Sequence, residues 1–134
     1  QTVMSKLHLR LNAETLALCA IETPEGVAAA GAIAATPGID GVIVAARELS
    51  AALQLHEQVG HSRVRDAVAS VIEACRKQGK PALVSGVADA ATLSAYVKQG
   101  VGRCYFTGDD AAFLLEGARA RNAAMRAVDA EIPR

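Results

Sequence analysis

Residues able to do chemistry cluster where apolar runs end. "LALCAIETPEGV", residues 16–27, runs through an apolar stretch into a lone carboxylate, Glu22. "GVIVAARELS", residues 41–50, ends in the same way on Arg47 and Glu48. Ser85-Gly86 and Thr107-Gly108-Asp109-Asp110 close two later runs. In parallel α/β folds the working groups gather at the carboxyl ends of the strands. Glu22 and Glu48 lie one strand–helix unit apart, which puts them on neighbouring strand tips. Two carboxylates facing one space share either a proton or a cation. A hard divalent ion such as Mg²⁺ or Mn²⁺ suits the second case, because it takes one or two carboxylates and fills its shell with water or substrate oxygens. The alternative is plain: a glutamate at a strand end is also a solvated boundary, or a charge that favours a helix N-terminus. Spacing alone leaves both open. Arg47 has two readings as well, a substrate-carboxylate ligand or an ion-pair partner of Glu48 or Glu25.

The elements that must position these residues alternate along the chain. Leu16 to Glu22 and Gly41 to Ala46 read as buried strands, "ALVSG" as a third and "RCYFT", Arg103 to Thr107, as a fourth. Between them lie helical patterns. Pro24 to Ala35 opens with Thr23 as N-cap and Pro24 at the first helical position. Leu49 to Gln58 reads as a short helix that breaks at Gly60. Ser62 is the expected cap of a helix in which Val64, Val68, Val71 and Cys75 recur on one face, with Gly79 just past its end. Asp89 starts a helix that stops at Gly100, and Asp109 or Asp110 caps a last helix to about Val128. Strands that are apolar throughout, with helices between them, predict a parallel sheet with right-handed crossovers. The expected fold class is α/β, built from four parallel strand–helix units. Residues 1–11 read as an N-terminal tail, 12–130 as a single α/β domain and 131–134 as a C-terminal tail. Met4 is the expected natural start, behind a short vector-derived remnant.

Composition narrows the function classes. Lys plus Arg equals Asp plus Glu at 14 each, so the basic excess of a general nucleic-acid binder is missing. No apolar run reaches the ~20 residues of a membrane span. The N-terminus lacks a charged region followed by an apolar one, so the expected compartment is the cytoplasm. Cys19, Cys75 and Cys104 have no zinc-ligand spacing and are expected as reduced thiols, with Cys19 and Cys104 as core filler. His8, His56 and His61 form no metal set; they are expected in surface or capping roles, His56 being the one able to approach Glu48. Neither Gly86 nor Gly108 belongs to a nucleotide-binding glycine pattern.

"AIETPEGVAAAGAIAATPGIDGVIVAARELSA", residues 20–51, resembles the core of the HpcH/HpaI aldolase and citrate lyase family. The likeness continues through "VRDAVASVIEACRKQGKPALVSG" and "VKQGVGRCYFTGDDAAFLLEGARA". It implies half of a (β/α)₈ TIM barrel, strands five to eight. It also implies a metal-dependent aldolase or carbon–carbon lyase acting on small keto acids such as pyruvate or oxaloacetate. Carried over, Glu22 takes the first metal position, and Glu48 stands where the family has aspartate. Ala46, Arg47 and Glu48 match the turn that cradles the substrate carboxylate. The implied cofactor is Mg²⁺ or Mn²⁺. Ala45-Ala46 replaces the usual Gly-Pro or Gly-Ala pair, and Ala20 stands where glutamine is common. No catalytic acid or base is assigned, because the family's basic groups belong to the other half of the barrel. The expected partners are a keto-acid substrate and either a second copy of the chain or a chain supplying the missing half, with neither nucleic acid nor membrane. The rival expectation is a catalytically degenerate half-barrel that serves as a structural or assembly module.

Overall fold

The computed structural model describes residues 3–106 and 108–132. Its centre is a parallel sheet of β1 (Leu18–Ile21), β2 (Gly41–Ala45) and β3 (Ala82–Ser85), in that spatial order. Leu18 lies opposite Gly41 and Ile21 opposite Val44; Val42 lies opposite Ala82 and Ala45 opposite Ser85. β2 is the central strand, and Val42, Val44 and Ala45 are buried. Gly41 marks its entry between the flanking strands. A Cβ there would stand 3.0 Å from the Pro81 carbonyl oxygen and 3.1 Å from Leu18 Cδ2, so the position needs a glycine.

Helices cover the sheet. α5 (Ser62–Lys77) buries Val64, Val68, Val71 and Cys75, the helical stripe legible in the sequence. Its cap is His61 and not Ser62: the His61 ring accepts a hydrogen bond from the Arg63 N–H, and Ser62 is the first helical residue. The expected helix over Pro24 to Ala35 is two short ones, α2 (Pro24–Ala28) and α3 (Ala30–Ala35), with Thr23 capping the first as expected. The break at Ala29 turns Ala30 and Ala34 into the core.

α4 (Ala46–Ala52) begins directly at the end of β2, earlier than the expected Leu49, and ends well before Gln58. Its stop is local. Gln54 adopts φ 61°, the Gln54 N–H reaches the Ala51 carbonyl and the Leu55 N–H reaches the Ser50 carbonyl. That is a Schellman arrangement, normally built on glycine. Here Leu55 packs against the core and holds it.

α6 (Ala90–Gln99) starts at Asp89, whose carboxylate accepts the Thr92 N–H at 2.7 Å, and ends at Gly100 with φ 119°. That hydrogen bond holds the Asp89 carboxyl below its usual range. The helix is pinned by Tyr96, a fully buried ring whose hydroxyl donates to the Val59 carbonyl. Burial pushes the Tyr96 phenol up to about 12. Because the folded state keeps this proton longer than the unfolded chain, stability falls as pH rises from the unfolded value of ~10 through about 12. Tyr96→Phe is expected to cost about 1–3 kcal/mol by orphaning the Val59 carbonyl. It should also flatten that alkaline decline. Urea unfolding of both proteins at neutral and alkaline pH measures each effect.

The segment expected as a fourth strand forms no ladder among the described residues, and Thr107 lies outside them. The Gly102 N–H bonds to the Ala82 carbonyl at 2.8 Å, and the chain then leaves β3. α7 (Asp110–Glu131) is capped by Asp109 but buries no residue, and Arg103 to Phe106 are exposed. A backbone pairing without burial gains little over water. Cys104, expected in the core, is exposed with them. Residues expected as a tail form α1 (Val3–Glu14), a helix that also buries nothing.

Candidate active site

The carboxyl ends of the three strands converge as the sequence requires. Glu22 directly follows β1, at the level of Ala45 in β2. Ala46 is buried at the start of α4, and Arg47 and Glu48 are exposed in its first turn. The metal candidates therefore stand just past the ends of adjacent parallel strands, Glu22 directly after β1 and Glu48 in the first turn of the helix after β2. Neither carboxylate is tied to a cation among the described residues.

An open depression of about 250 Å³ lies beside α4. Arg47 and Glu48, the Ser85–Ala88 turn, and Phe106, Gly108 and Asp109 line it. Gly86, with φ 74°, is what lets the two loops meet: a Cβ there would sit 3.1 Å from Arg47 Cβ and 3.2 Å from its backbone nitrogen. Glu22 borders the strand ends without lining this depression. The Asp109 carboxylate is spent on its helix, accepting the Ala112 N–H at 2.8 Å.

Arg47 pairs with neither Glu48 nor Glu25. Its Nε lies 4.0 Å from Glu57 Oε2, on the loop after α4. Glu25 is engaged at the start of α2, where backbone and Thr23 hydrogen bonds lower its carboxyl. Glu57 was not singled out by sequence reasoning. Nothing in "LQLHEQVG" marks it, because its place follows from a left-handed backbone at Gln54 and again at Glu57 itself. His56 is exposed, His61 is spent as a cap and His8 lies on α1. No group of three or more His, Cys, Asp or Glu side chains converges among the described residues.

The donor set that remains, two unpaired carboxylates, fits a hard divalent ion that keeps water or substrate oxygens in its shell. It does not fit a closed structural zinc site.

A larger cavity, about 620 Å³, opens at the opposite end of β3. Its polar side chains are already engaged. Arg76 is paired with Glu73, Lys80 donates to the Thr36 carbonyl and Gln99 to the Arg65 carbonyl. Chemistry belongs to the strand carboxyl ends.

The HpcH/HpaI aldolase/citrate lyase family profile matches residues 4–115, most of the chain. This chain belongs to that family. A hydroxypyruvate/pyruvate aldolase of Pseudomonas aeruginosa is 35% identical to this HpcH/HpaI chain over 104 residues, which are 76% of the chain and 37% of the relative. The HpcH/HpaI aldolase from Desulfitobacterium hafniense DCB-2 superposes with a TM-score of 0.74 at 26% identity, covering 99% of this chain and 49% of that one. Citrate synthase SbnG superposes with a TM-score of 0.78 over 96% of this chain and 51% of its own; at 23% identity that likeness concerns the fold alone. This HpcH/HpaI chain thus spans about half the length of its structural neighbours and less of the curated relative. The α/β architecture of parallel strands is that of half a TIM barrel. Among the described residues no helix is long and apolar enough to cross a membrane.

Proposed function

We propose that this chain is the metal- and carboxylate-binding half of an aldolase or carbon–carbon lyase acting on small keto acids. The observation that carries the reading is the pair of free carboxylates, Glu22 and Glu48, just past the ends of adjacent strands of a chain in this family. Glu22 and Glu48 would hold Mg²⁺ or Mn²⁺. Bound there, a divalent ion supplies Lewis-acid stabilisation of the negative charge that grows on the keto oxygen as a carbon–carbon bond breaks or forms.

The chain's own residues orient the substrate. α4 has no side-chain cap, since Ala45 precedes it, so the N–H groups of its first turn have no side-chain acceptor. The substrate carboxylate meets the turn of Ala46, Arg47 and Glu48. Phe106 and the Ser85–Ala88 turn line the depression beside it. The depression offers no histidine or lysine as general acid or base. That group would come from the other half of the barrel, from further sequence or from a partner chain. The same lack, together with the uncovered α1 and α7, favours a second reading: a non-catalytic half-barrel serving assembly.

The experiment is an oxaloacetate decarboxylation and retro-aldol assay with Mg²⁺ or Mn²⁺. The chain alone is expected to be nearly inactive, because a metal without a positioned acid or base lowers only part of the barrier. Adding a polypeptide with the other four strand–helix units should restore turnover, and Glu48→Ala should abolish it. Robust turnover by the chain alone, lost in Glu48→Ala, would place the base within these residues. A complemented barrel that binds metal yet turns over no keto acid would support the assembly reading.

A further inference from the structure

The loop after α4 presents a carboxylate to the cation of the site, and it does so at a cost. Glu57 holds φ 61°, a left-handed conformation that disfavours a side-chain-bearing residue by about 1–2 kcal/mol. The loop is braced on both sides. Gln58 N–H bonds to the Leu55 carbonyl, His61 N–H to the Gln58 carbonyl, and buried Tyr96 holds the Val59 carbonyl from α6. Gly86 approaches the Arg47 backbone closely, a Cβ there standing 3.2 Å from its nitrogen.

The resulting pair is weak: Nε and Oε2 are 4.0 Å apart, with the side chains 56% and 80% exposed. Arg47 makes no side-chain hydrogen bond among the described residues, which leaves the guanidinium fork of N–H donors available. It is the one cation among the described residues lining the depression, whose carboxylates are Glu48 and the helix-capping Asp109.

We infer that Arg47 selects keto acids bearing a second carboxylate, and that Glu57 is its built-in competitor, screening the guanidinium charge until the substrate's distal carboxylate binds it. The inference rests on the proposed keto-acid site for its substrate class. Its chemistry follows from geometry: a guanidinium grips a carboxylate through two parallel N–H bonds, whereas the long contact to Glu57 provides none. Removing the competitor therefore frees Arg47 at the modest gain typical of an exposed pair, about two- to five-fold in affinity.

The test is a metal-free titration of the chain with succinate, its affinity read by calorimetry in every protein and on the Arg47 Nε–H resonance in those that keep Arg47. Metal-free conditions separate it from the Glu22–Glu48 reading, which a failed metal titration would remove without touching this result. Wild type should shift saturably, and Glu57→Gln should bind succinate about two- to five-fold more tightly. Glu57→Gly, which accepts the left-handed backbone, should tighten binding alike, and Arg47→Gln should abolish it. Unchanged or weakened affinity in Glu57→Gln would overturn the inference, as would tightening by only one of the two Glu57 variants. Wild-type affinity in Arg47→Gln, or no saturable shift in wild type, would overturn it too.

Discussion

At micromolar concentration the chain is expected to sediment as a dimer or larger assembly. The reason is uncovered apolar surface. α7 exposes Phe113, Leu114, Leu115, Met125 and Val128, with Leu114 at 77%, and α1 exposes Leu7, Leu9 and Leu11. β1 and β3 are sheet edges with one neighbour each. Open edges and contiguous apolar faces both drive association in water. An isologous two-fold dimer, with the long helix of each copy against the other, is the commonest solution for such a face. A partner supplying the other half of a barrel would cover the sheet edges instead. Leu114→Glu combined with Met125→Glu should shift the chain toward monomer while leaving the circular dichroism unchanged, because neither side chain touches the core. A wild-type chain that stays monomeric at every concentration would contradict this expectation.

The sequence was most informative where one strong pattern sufficed. Val64, Val68, Val71 and Cys75 marked a buried helical face, and the runs Leu16 to Glu22 and Gly41 to Ala46 marked strands, which end at Ile21 and Ala45, because such patterns are local. Asp89 and Thr23 were legible as caps from their short oxygen-bearing side chains, and the last helix's cap was narrowed to Asp109 or Asp110, of which Asp109 caps it. His61 was not, since a ring nitrogen is an unusual cap acceptor and Ser62 stood next to it.

The fourth strand failed for a different reason. "RCYFT" has strand composition, but a strand at this edge gains by being buried under the last helix, and α7 buries no residue. That is a tertiary fact no local pattern records. In the site, Glu22, Arg47 and Glu48 could be placed at strand ends because parallel α/β topology fixes where such residues go. The Arg47–Glu57 contact could not, because it depends on two left-handed residues that are not glycine, Gln54 and Glu57.

Loss of either carboxylate proposed to hold the ion, Glu22 or Glu48, is expected to have the largest functional effect. With two protein ligands at most, removal of one leaves half the set, and the stabilisation conferred by the ion goes with it. For wild type that stabilisation is about 2.7 kcal/mol at a hundred-fold excess of ion over its dissociation constant. Calorimetric titration of Mn²⁺ into the chain tests this directly. The predicted result is a saturable single-site heat for wild type, absent in Glu22→Ala and in Glu48→Ala, and retained in Glu14→Ala on α1. Equal heats in all four proteins, or no heat in wild type, would contradict the assignment of Glu22 and Glu48 as a metal site in this chain.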